Sequence, residues 1–132
     1  GGAIQALQLA AFLVKRGRKV TVVDSAEQMG DGLVEFYKLR LFWWLEQKGV
    51  PLLSGVKFEE ITNTGLTITT REGEKKILAA DTILPALPMA PDTEFAKSLE
   101  GTAPEIYHIG DCGNSSLIID AIGDGAHVGR AI

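Results

Sequence analysis

The chain has 132 residues, of which 45% are hydrophobic, so it is long enough to bury a core as one domain or as parts of two. No apolar run approaches the ~20 residues needed to cross a bilayer, and the net charge of −4 comes without the dense basic patch that nucleic-acid binding requires. A single cysteine, Cys112, excludes an internal disulfide or CxxC pair and predicts a reduced, cytoplasmic protein.

The first part of the chain predicts a β-α-β arrangement. Residues 4–16 are apolar around most of a helix and are followed by Gly17, which predicts a helix buried against a sheet. The β-branched stretch "KVTVVD" (19–24) predicts a central parallel strand. An amphipathic helix over 33–48 and a short strand over 50–53 complete the unit.

The pattern then changes to alternating polar and apolar residues. Three such stretches, 56–62, 66–70 and 75–81, predict a three-stranded antiparallel meander. The apolar stretch 82–87 is a candidate strand that returns to the parallel sheet, and the two prolines of 88–92 predict a linker.

The last part of the chain predicts one weak and one strong helix around a strand. Residues 93–100 form the weak helix, and "EIYHIGD" (105–111) predicts a strand ending in Gly-Asp. Residues 116–132 predict a closing helix, with Asn114 or Ser115 as its N-cap.

A dinucleotide-binding turn is predicted at the start of the chain. Such a turn needs glycines before a helix, and an acid about 20 residues later that accepts hydrogen bonds from a ribose. Asp24 meets the second requirement, because it ends a predicted strand 23 positions after Gly1. A carboxylate there repels a 2′-phosphate, and no arginine follows it closely, so NAD is favoured over NADP.

The glycine pattern of this turn departs from the usual one and reads G-x-A-x-x-A. Ala6 in place of the third glycine affects only helix packing, whereas Ala3 in place of the second puts a methyl group where a pyrophosphate must approach. A helix that merely begins after two glycines is the alternative interpretation. The residues assigned to the predicted cofactor turn are Gly1, Gly2, Ala3, Ile4 and Ala6.

The segment "PEIYHIGDCGNSSLIIDAIGDGAHVGRAI" (104–132) resembles the last flavin-domain segment of flavoproteins with two dinucleotide-binding domains. The matching features are Gly110 and Asp111 at a strand end, followed by a helix with an alanine and spaced glycines. Together with "PALPMAPDTEFAKSLEG" (85–101), this segment is similar to the C-terminal part of the NADH:flavin oxidoreductases. That group includes 2,4-dienoyl-CoA reductase, enoate reductase and trimethylamine dehydrogenase.

The resemblance implies an α/β fold in which a Rossmann-like parallel sheet and an antiparallel meander precede a strand-helix segment. Residues 1–89 would be an NAD(P)-binding domain lacking its first strand, and 90–132 the return segment of the FAD-binding domain. The chain would then be a C-terminal fragment, inactive when isolated, whose upstream part holds a barrel, with FMN and an iron–sulfur cluster as further cofactors. An unpaired sheet edge predicts self-association as a homo-oligomer.

The implied function is transfer of hydride from NADH to FAD, for reduction of an enoate or dienoyl substrate at the upstream barrel. Asp111 would contact the flavin ribityl chain, and the N–H groups of Leu117 and Ile118 would face the flavin edge. No catalytic residue and no metal site is predicted. One alternative is a non-catalytic interdomain module that holds a nucleotide such as ADP, and Ala3 is the residue that discriminates between these two functions. Another is a piece of a pyridine-nucleotide disulfide reductase, against which the lone Cys112 argues unless a CxxC pair lies upstream.

Overall fold

A computed structural model describes residues 1–87, 90–113 and 117–132. The chain divides into two compact units, Gly1–Ala86 and Leu87–Ile132. The assignment of these two parts to an NAD(P) domain and a flavin domain stays a prediction. No helix among the described residues is long and apolar enough to cross a membrane.

The first unit begins with the predicted β-α-β arrangement. Helix α1 (Ile4–Lys15) leads to strand β1 (Val22–Val23), and helix α2 (Glu35–Gln47) leads to strand β2 (Leu52–Leu53). The two strands pair in parallel, with Val22 opposite Leu52 and Val23 opposite Leu53. Both strands are shorter than predicted, because the parallel register covers two residues of each.

Each long helix of this unit is followed, two residues after its end, by a glycine at positive φ. Gly17 has φ +75 and donates to the carbonyl of Val14 at 2.9 Å, and Gly49 has φ +68 and donates to Glu46 at 2.8 Å. A residue with a side chain is strained at positive φ, so glycine is the residue that closes a helix in this way. These caps turn the chain back towards the following strand.

The core of the first unit lies between the two helices and β1. Leu7 of α1 and Leu45 of α2 are fully buried, and each side chain removed from water stabilises the fold by about 1.5–3 kcal/mol. Helix α1 is buried on the side that faces β1 and α2, as predicted, and its other side is open, since Phe12 is 51% exposed. The other buried members of this cluster are Ala10, Val22, Met29, Leu41 and Val50.

The adjacent residues Trp43 and Trp44 point to different environments, as their positions on a helix require. Trp44 packs against the core cluster, whereas Trp43 is 63% exposed. Only one of the two tryptophans therefore faces the core.

The predicted meander is confirmed as a three-stranded antiparallel sheet. Its strands are β3 (Lys57–Thr62), β4 (Gly65–Thr69) and β5 (Lys75–Ala79), in the order β3-β4-β5. Ile68 at the centre of β4 is fully buried, and the side chains of β3 and β5 are largely exposed. Residues 82–87 form no strand, so the predicted return to the parallel sheet is not seen.

The second unit contains two helices and one 3-10 turn among its described residues. Helix α3 spans Glu94–Ser98, a 3-10 helix spans Gly110–Cys112, and helix α4 spans Ile118–Ala131. Both helices lie where the sequence predicted them. The candidate N-caps Asn114 and Ser115 lie outside the described residues.

The predicted strand over 105–111 is wrong as a paired strand. Ile109 is extended, with φ −126 and ψ 153, and the chain then enters the 3-10 helix. Extended backbone becomes a strand only when a neighbour satisfies its N–H and C=O groups, and the described sheets consist of residues of the first unit.

Candidate functional site

The glycine turn at the start of the first unit lies alongside the end of β1. The nitrogen of Gly1 donates to the carbonyl of Val23 at 2.9 Å. On its other side, the turn is held by the loop after β1, because Gly30 donates to the carbonyl of Gly2 at 2.7 Å and Ile4 donates to the carbonyl of Asp31 at 3.1 Å. The predicted turn residues are therefore brought together at the N-terminus of α1.

Asp24 follows β1 directly and faces this turn. Its backbone is fixed by β2 and the segment after it, since Asp24 donates to the carbonyl of Leu53 at 2.9 Å and accepts from Val56 at 3.1 Å. Its half-buried carboxylate accepts a hydrogen bond from the N–H of Gly2 and another, at 2.9 Å, from the N–H of Ala26. The fold thus joins two predicted site residues that lie 22 positions apart.

The carboxylate of Asp24 retains capacity for a ligand as far as the described residues are concerned. An ionised carboxylate offers about four acceptor positions, and the donors among those residues, the N–H groups of Gly2 and Ala26, occupy two of them. Two acceptor positions match the two hydroxyl groups of a ribose. The chemistry of this side chain therefore fits the sugar of a nucleotide.

The two glycines are required by the packing of the chain itself. A Cβ on Gly2 would lie 2.5 Å from Cγ of Met29 and 2.9 Å from Oδ2 of Asp24, and a Cβ on Gly1 would collide with the carbonyl oxygen of Ala86. The close approach at Gly2 is therefore to Asp24 and to a buried methionine. The burial of Met29 could not be predicted from the sequence, because Met29 lies in a loop without apolar periodicity.

Ala3 is the N-cap of α1, where it has extended backbone and is half-buried, and Ala6 is buried in the first turn. Among the described residues, no side chain caps this helix start. The N–H of Ile4 already binds the carbonyl of Asp31, whereas helix geometry leaves Gln5 and Ala6 without intrahelical acceptors for their N–H groups. An anion at this helix start would meet those two N–H groups.

A second candidate site lies in the other unit, around Gly110 and Asp111. Gly110 is buried with φ +58, and a Cβ on it would lie 3.2 Å from Cβ of Ala121. The N–H of Gly110 donates to the carboxylate of Asp124 at 3.3 Å. This glycine therefore brings the 3-10 helix against α4.

Asp111, Leu117 and Ile118, three predicted flavin contacts, line one cavity of about 360 Å³. Ala121 and Ile122 complete its lining. Asp111 is exposed and lies within the 3-10 helix, so its predicted position at a strand end is wrong. Among the described residues, the lining of this cavity contains one carboxylate and is otherwise apolar.

The predicted availability of the Leu117 N–H is wrong. This N–H donates to the carboxylate of Asp120 at 3.0 Å, and the N–H of Asp120 donates back to the carbonyl of Leu117 at 3.0 Å. An acid three residues into a helix commonly reaches back in this way, and that spacing was visible in the sequence. Asp120 also places a negative charge at this helix start, where Ile118 is the first helical residue.

The other described side chains that could bind a metal do not form a cluster. Among the residues that the structure describes, no three or more His, Cys, Asp or Glu side chains group as metal ligands. His108 and His127 are exposed, as is the thiol of Cys112 in the 3-10 helix. The pKa of Tyr107 is raised, because its hydroxyl donates to the carboxylate of Glu105 at 2.8 Å.

The parallel β-α-β arrangement, the glycine turn at a helix start and the meander define a Rossmann-like α/β protein. Residues 1–125 match the model of the pyridine nucleotide-disulphide oxidoreductase family. The chain belongs to this family, whose members bind FAD and a pyridine nucleotide.

Individual relatives agree with this assignment. The chain is 26% identical over 129 residues to an NADH oxidase of Thermoanaerobacter brockii, covering 97% of this chain and 20% of that protein. It is 27% identical over 127 residues to a nitric oxide reductase FlRd-NAD(+) reductase of Pectobacterium atrosepticum, covering 85% of this chain and 34% of that protein.

The fold is also that of a solved structure, 2-naphthoyl-CoA reductase in complex with 2-naphthoyl-CoA. The TM-score is 0.88 at 28% identity, and the match covers all of this chain and 20% of that one. The chain thus spans between a fifth and a third of the length of the proteins it matches.

Proposed function

We propose that this region binds NADH in a longer flavin oxidoreductase and orients it for transfer of hydride to FAD. The observation that carries the proposal is the contact between the Asp24 carboxylate and the N–H of Gly2, which sets a ribose acceptor beside a helix start. The two bound cofactors supply the redox chemistry. The residues of this chain bind and orient, because no described side chain near the turn is placed as a proton donor.

Asp24 is the residue that would hold the adenosine ribose and select NADH over NADPH. Its two remaining acceptor positions suit the ribose hydroxyl groups, and its negative charge opposes a 2′-phosphate. The N–H groups of Gln5 and Ala6 would face the pyrophosphate. Gly1, Gly2 and Ala3 would form the backbone wall on which the pyrophosphate lies.

The second unit is proposed to contact FAD through the cavity next to α4. Asp111 would accept hydrogen bonds from the ribityl hydroxyl groups, and the N–H of Ile118 would face the flavin edge. The N–H of Leu117 donates to the carboxylate of Asp120, so the N–H of Ile118 alone remains of the two donors proposed for the flavin edge.

The rest of the proposed enzyme would reduce an enoate or dienoyl substrate at a barrel that holds FMN and an iron–sulfur cluster. Two findings support this proposal. The chain covers about a fifth of the NADH oxidase, and it covers a fifth of a reductase solved with a CoA thioester. In both matched proteins, about four fifths of the length lies outside the region that this chain matches.

A non-catalytic nucleotide-binding module is the second candidate function. Ala3 favours it, because an alanine stands at the helix start where the family fingerprint has a glycine. In that case the turn would hold ADP or a similar nucleotide, and the flavin would not be reduced by NADH.

The test is the substitution Asp24→Asn in the full-length protein. Removing the charge while keeping the shape should cost one charge-assisted hydrogen bond, about 1.5–3 kcal/mol, which is a rise of about tenfold or more in the KM for NADH. Asp81→Asn is the matched control, because Asp81 is an exposed carboxylate of the same unit. An Asp24→Asn variant that keeps the wild-type KM for NADH would remove the basis of the proposal.

A further inference from the structure

An ion pair ties the loop after Asp24 to the meander. The guanidinium of Arg71 contacts the carboxylate of Glu27, and the two side chains are 60% and 66% exposed. Glu27 lies three residues after Asp24, and Arg71 lies in the turn between β4 and β5, in which Thr70 donates to the carbonyl of Glu74 at 2.8 Å. The fold therefore brings a cation to a loop whose own sequence has none.

Short contacts connect this ion pair to the carboxylate of Asp24. The N–H of Ala26 donates to Asp24 at 2.9 Å, and the carbonyl of the same Ala26 accepts from Gly55 at 2.8 Å. A Cβ on Gly55 would lie 3.6 Å from Oε1 of Glu27 and 3.8 Å from Nε of Arg71. Asp24, the following loop and Arg71 thus form one continuous group of contacts within the first unit.

The chemistry of Arg71 is opposite to that of Asp24. A guanidinium pairs with a phosphate in a two-pronged geometry, and a 2′-phosphate carries about 1.5 to 2 negative charges. An uncompensated arginine beside this loop would attract the phosphate that Asp24 repels. Glu27 supplies the compensating charge.

We propose that Glu27 is a second specificity-determining residue, which keeps Arg71 paired so that NADPH finds no available cation beside Asp24. This inference rests on the proposed binding of NADH at the turn. Without Glu27, the Asp24 loop would have an unpaired guanidinium as its neighbour, and discrimination against NADPH would weaken. Glu27 acts through Arg71 and is therefore a positioning residue.

The experiment measures kcat/KM for NADH and for NADPH in the full-length protein and three variants. Glu27→Gln should raise kcat/KM for NADPH about fivefold and leave the value for NADH within about twofold, because exposed charge pairs have modest energies. Arg71→Met alone should leave the ratio of the two values within about twofold of wild type. The double variant Glu27→Gln/Arg71→Met should return to the wild-type ratio.

The matched control is Glu59→Gln. Glu59 accepts from Lys57 at 3.0 Å, and this contact lowers the pKa of its carboxyl group, so the control breaks another surface ion pair of the same unit. Glu59→Gln should leave the ratio of kcat/KM for NADPH to kcat/KM for NADH unchanged. Flavin content and thermal unfolding of each variant verify that folding is intact, as expected for exposed side chains.

The outcomes separate this inference from the proposed function. A wild-type protein that oxidises NADH, together with an unchanged ratio in Glu27→Gln, overturns only the role of Glu27. The role of Glu27 is also overturned if Glu27→Gln raises the ratio of kcat/KM for NADPH to that for NADH and the double variant Glu27→Gln/Arg71→Met keeps the raised ratio. The effect would then not pass through Arg71. A wild-type protein that does not oxidise NADH overturns the proposed function itself, and this inference with it.

Discussion

Gly2→Ala is the substitution that examines the glycine turn most closely. The added methyl carbon would lie 2.5 Å from Cγ of Met29, 2.9 Å from Oδ2 of Asp24 and 3.0 Å from Sδ of Met29, all below the 3.4 Å at which ordinary contact begins. Either the buried Met29 or the carboxylate of Asp24 must move. Such overpacking costs about 1–3 kcal/mol, so we expect the free energy needed to open the first unit to fall by that amount.

Hydrogen exchange of the full-length protein measures this loss locally. Peptides covering α1 and β1 should exchange about 5- to 150-fold faster in Gly2→Ala than in wild type, which is the same energy expressed as a ratio. The KM for NADH should rise as well, because displacement of Asp24 removes a ribose contact.

Gly123→Ala is the matched control, because a Cβ on Gly123 would meet no heavy atom within 4 Å among the described residues. It should slow exchange in α4, since alanine is the better helix former by about 1 kcal/mol, and should leave α1 unchanged. Exchange in α1 and β1 of Gly2→Ala at the wild-type rate would refute the packing argument.

Two further predictions concern the core and one surface group. Leu45→Ala should destabilise the first unit by about 2–5 kcal/mol, because it opens a cavity at a fully buried site. Leu39→Ala, at a 62% exposed site of the same helix, is the control and should have little effect on thermal unfolding. Glu105→Ala should lower the pKa of Tyr107 towards its ordinary value, because the raised pKa comes first from the hydrogen bond to that carboxylate. A pH titration of the Tyr107 ring signals by NMR, assigned by comparison with Tyr107→Phe, would measure this pKa, and an unchanged titration midpoint would contradict the contact.

The elements with a strong local pattern could be predicted from the sequence. The helices α1 and α2 and the meander follow from periodicity and from the glycines that end each stretch, and both signals are local. The prediction of a strand over 105–111 was wrong, because an apolar β-branched stretch becomes a strand only beside a partner strand. The local sequence does not show whether such a partner is present. The same reason explains why β1 is two residues long within the predicted 19–24.

Contacts of the site could be predicted only where they follow from the spacing of residues along the chain. The separation between Gly2 and Asp24 predicted their meeting, because a turn, a helix and a strand have fixed lengths. The approach of Arg71 to Glu27 was not predictable, since it depends on how the meander folds against the Asp24 loop. The contact between the Leu117 N–H and Asp120 also follows a spacing, that of a helix start and an acid three residues later.

The central claim is that Asp24 and the glycine turn bind NADH so that it reduces the flavin. The most direct measurement adds NADH or NADPH in equal amounts to the oxygen-free full-length protein and follows the loss of flavin absorbance. We predict that NADH bleaches the flavin at much lower concentration than NADPH does, and that Asp24→Asn narrows this difference. Equal bleaching by both nucleotides, or no bleaching by either, would contradict the account.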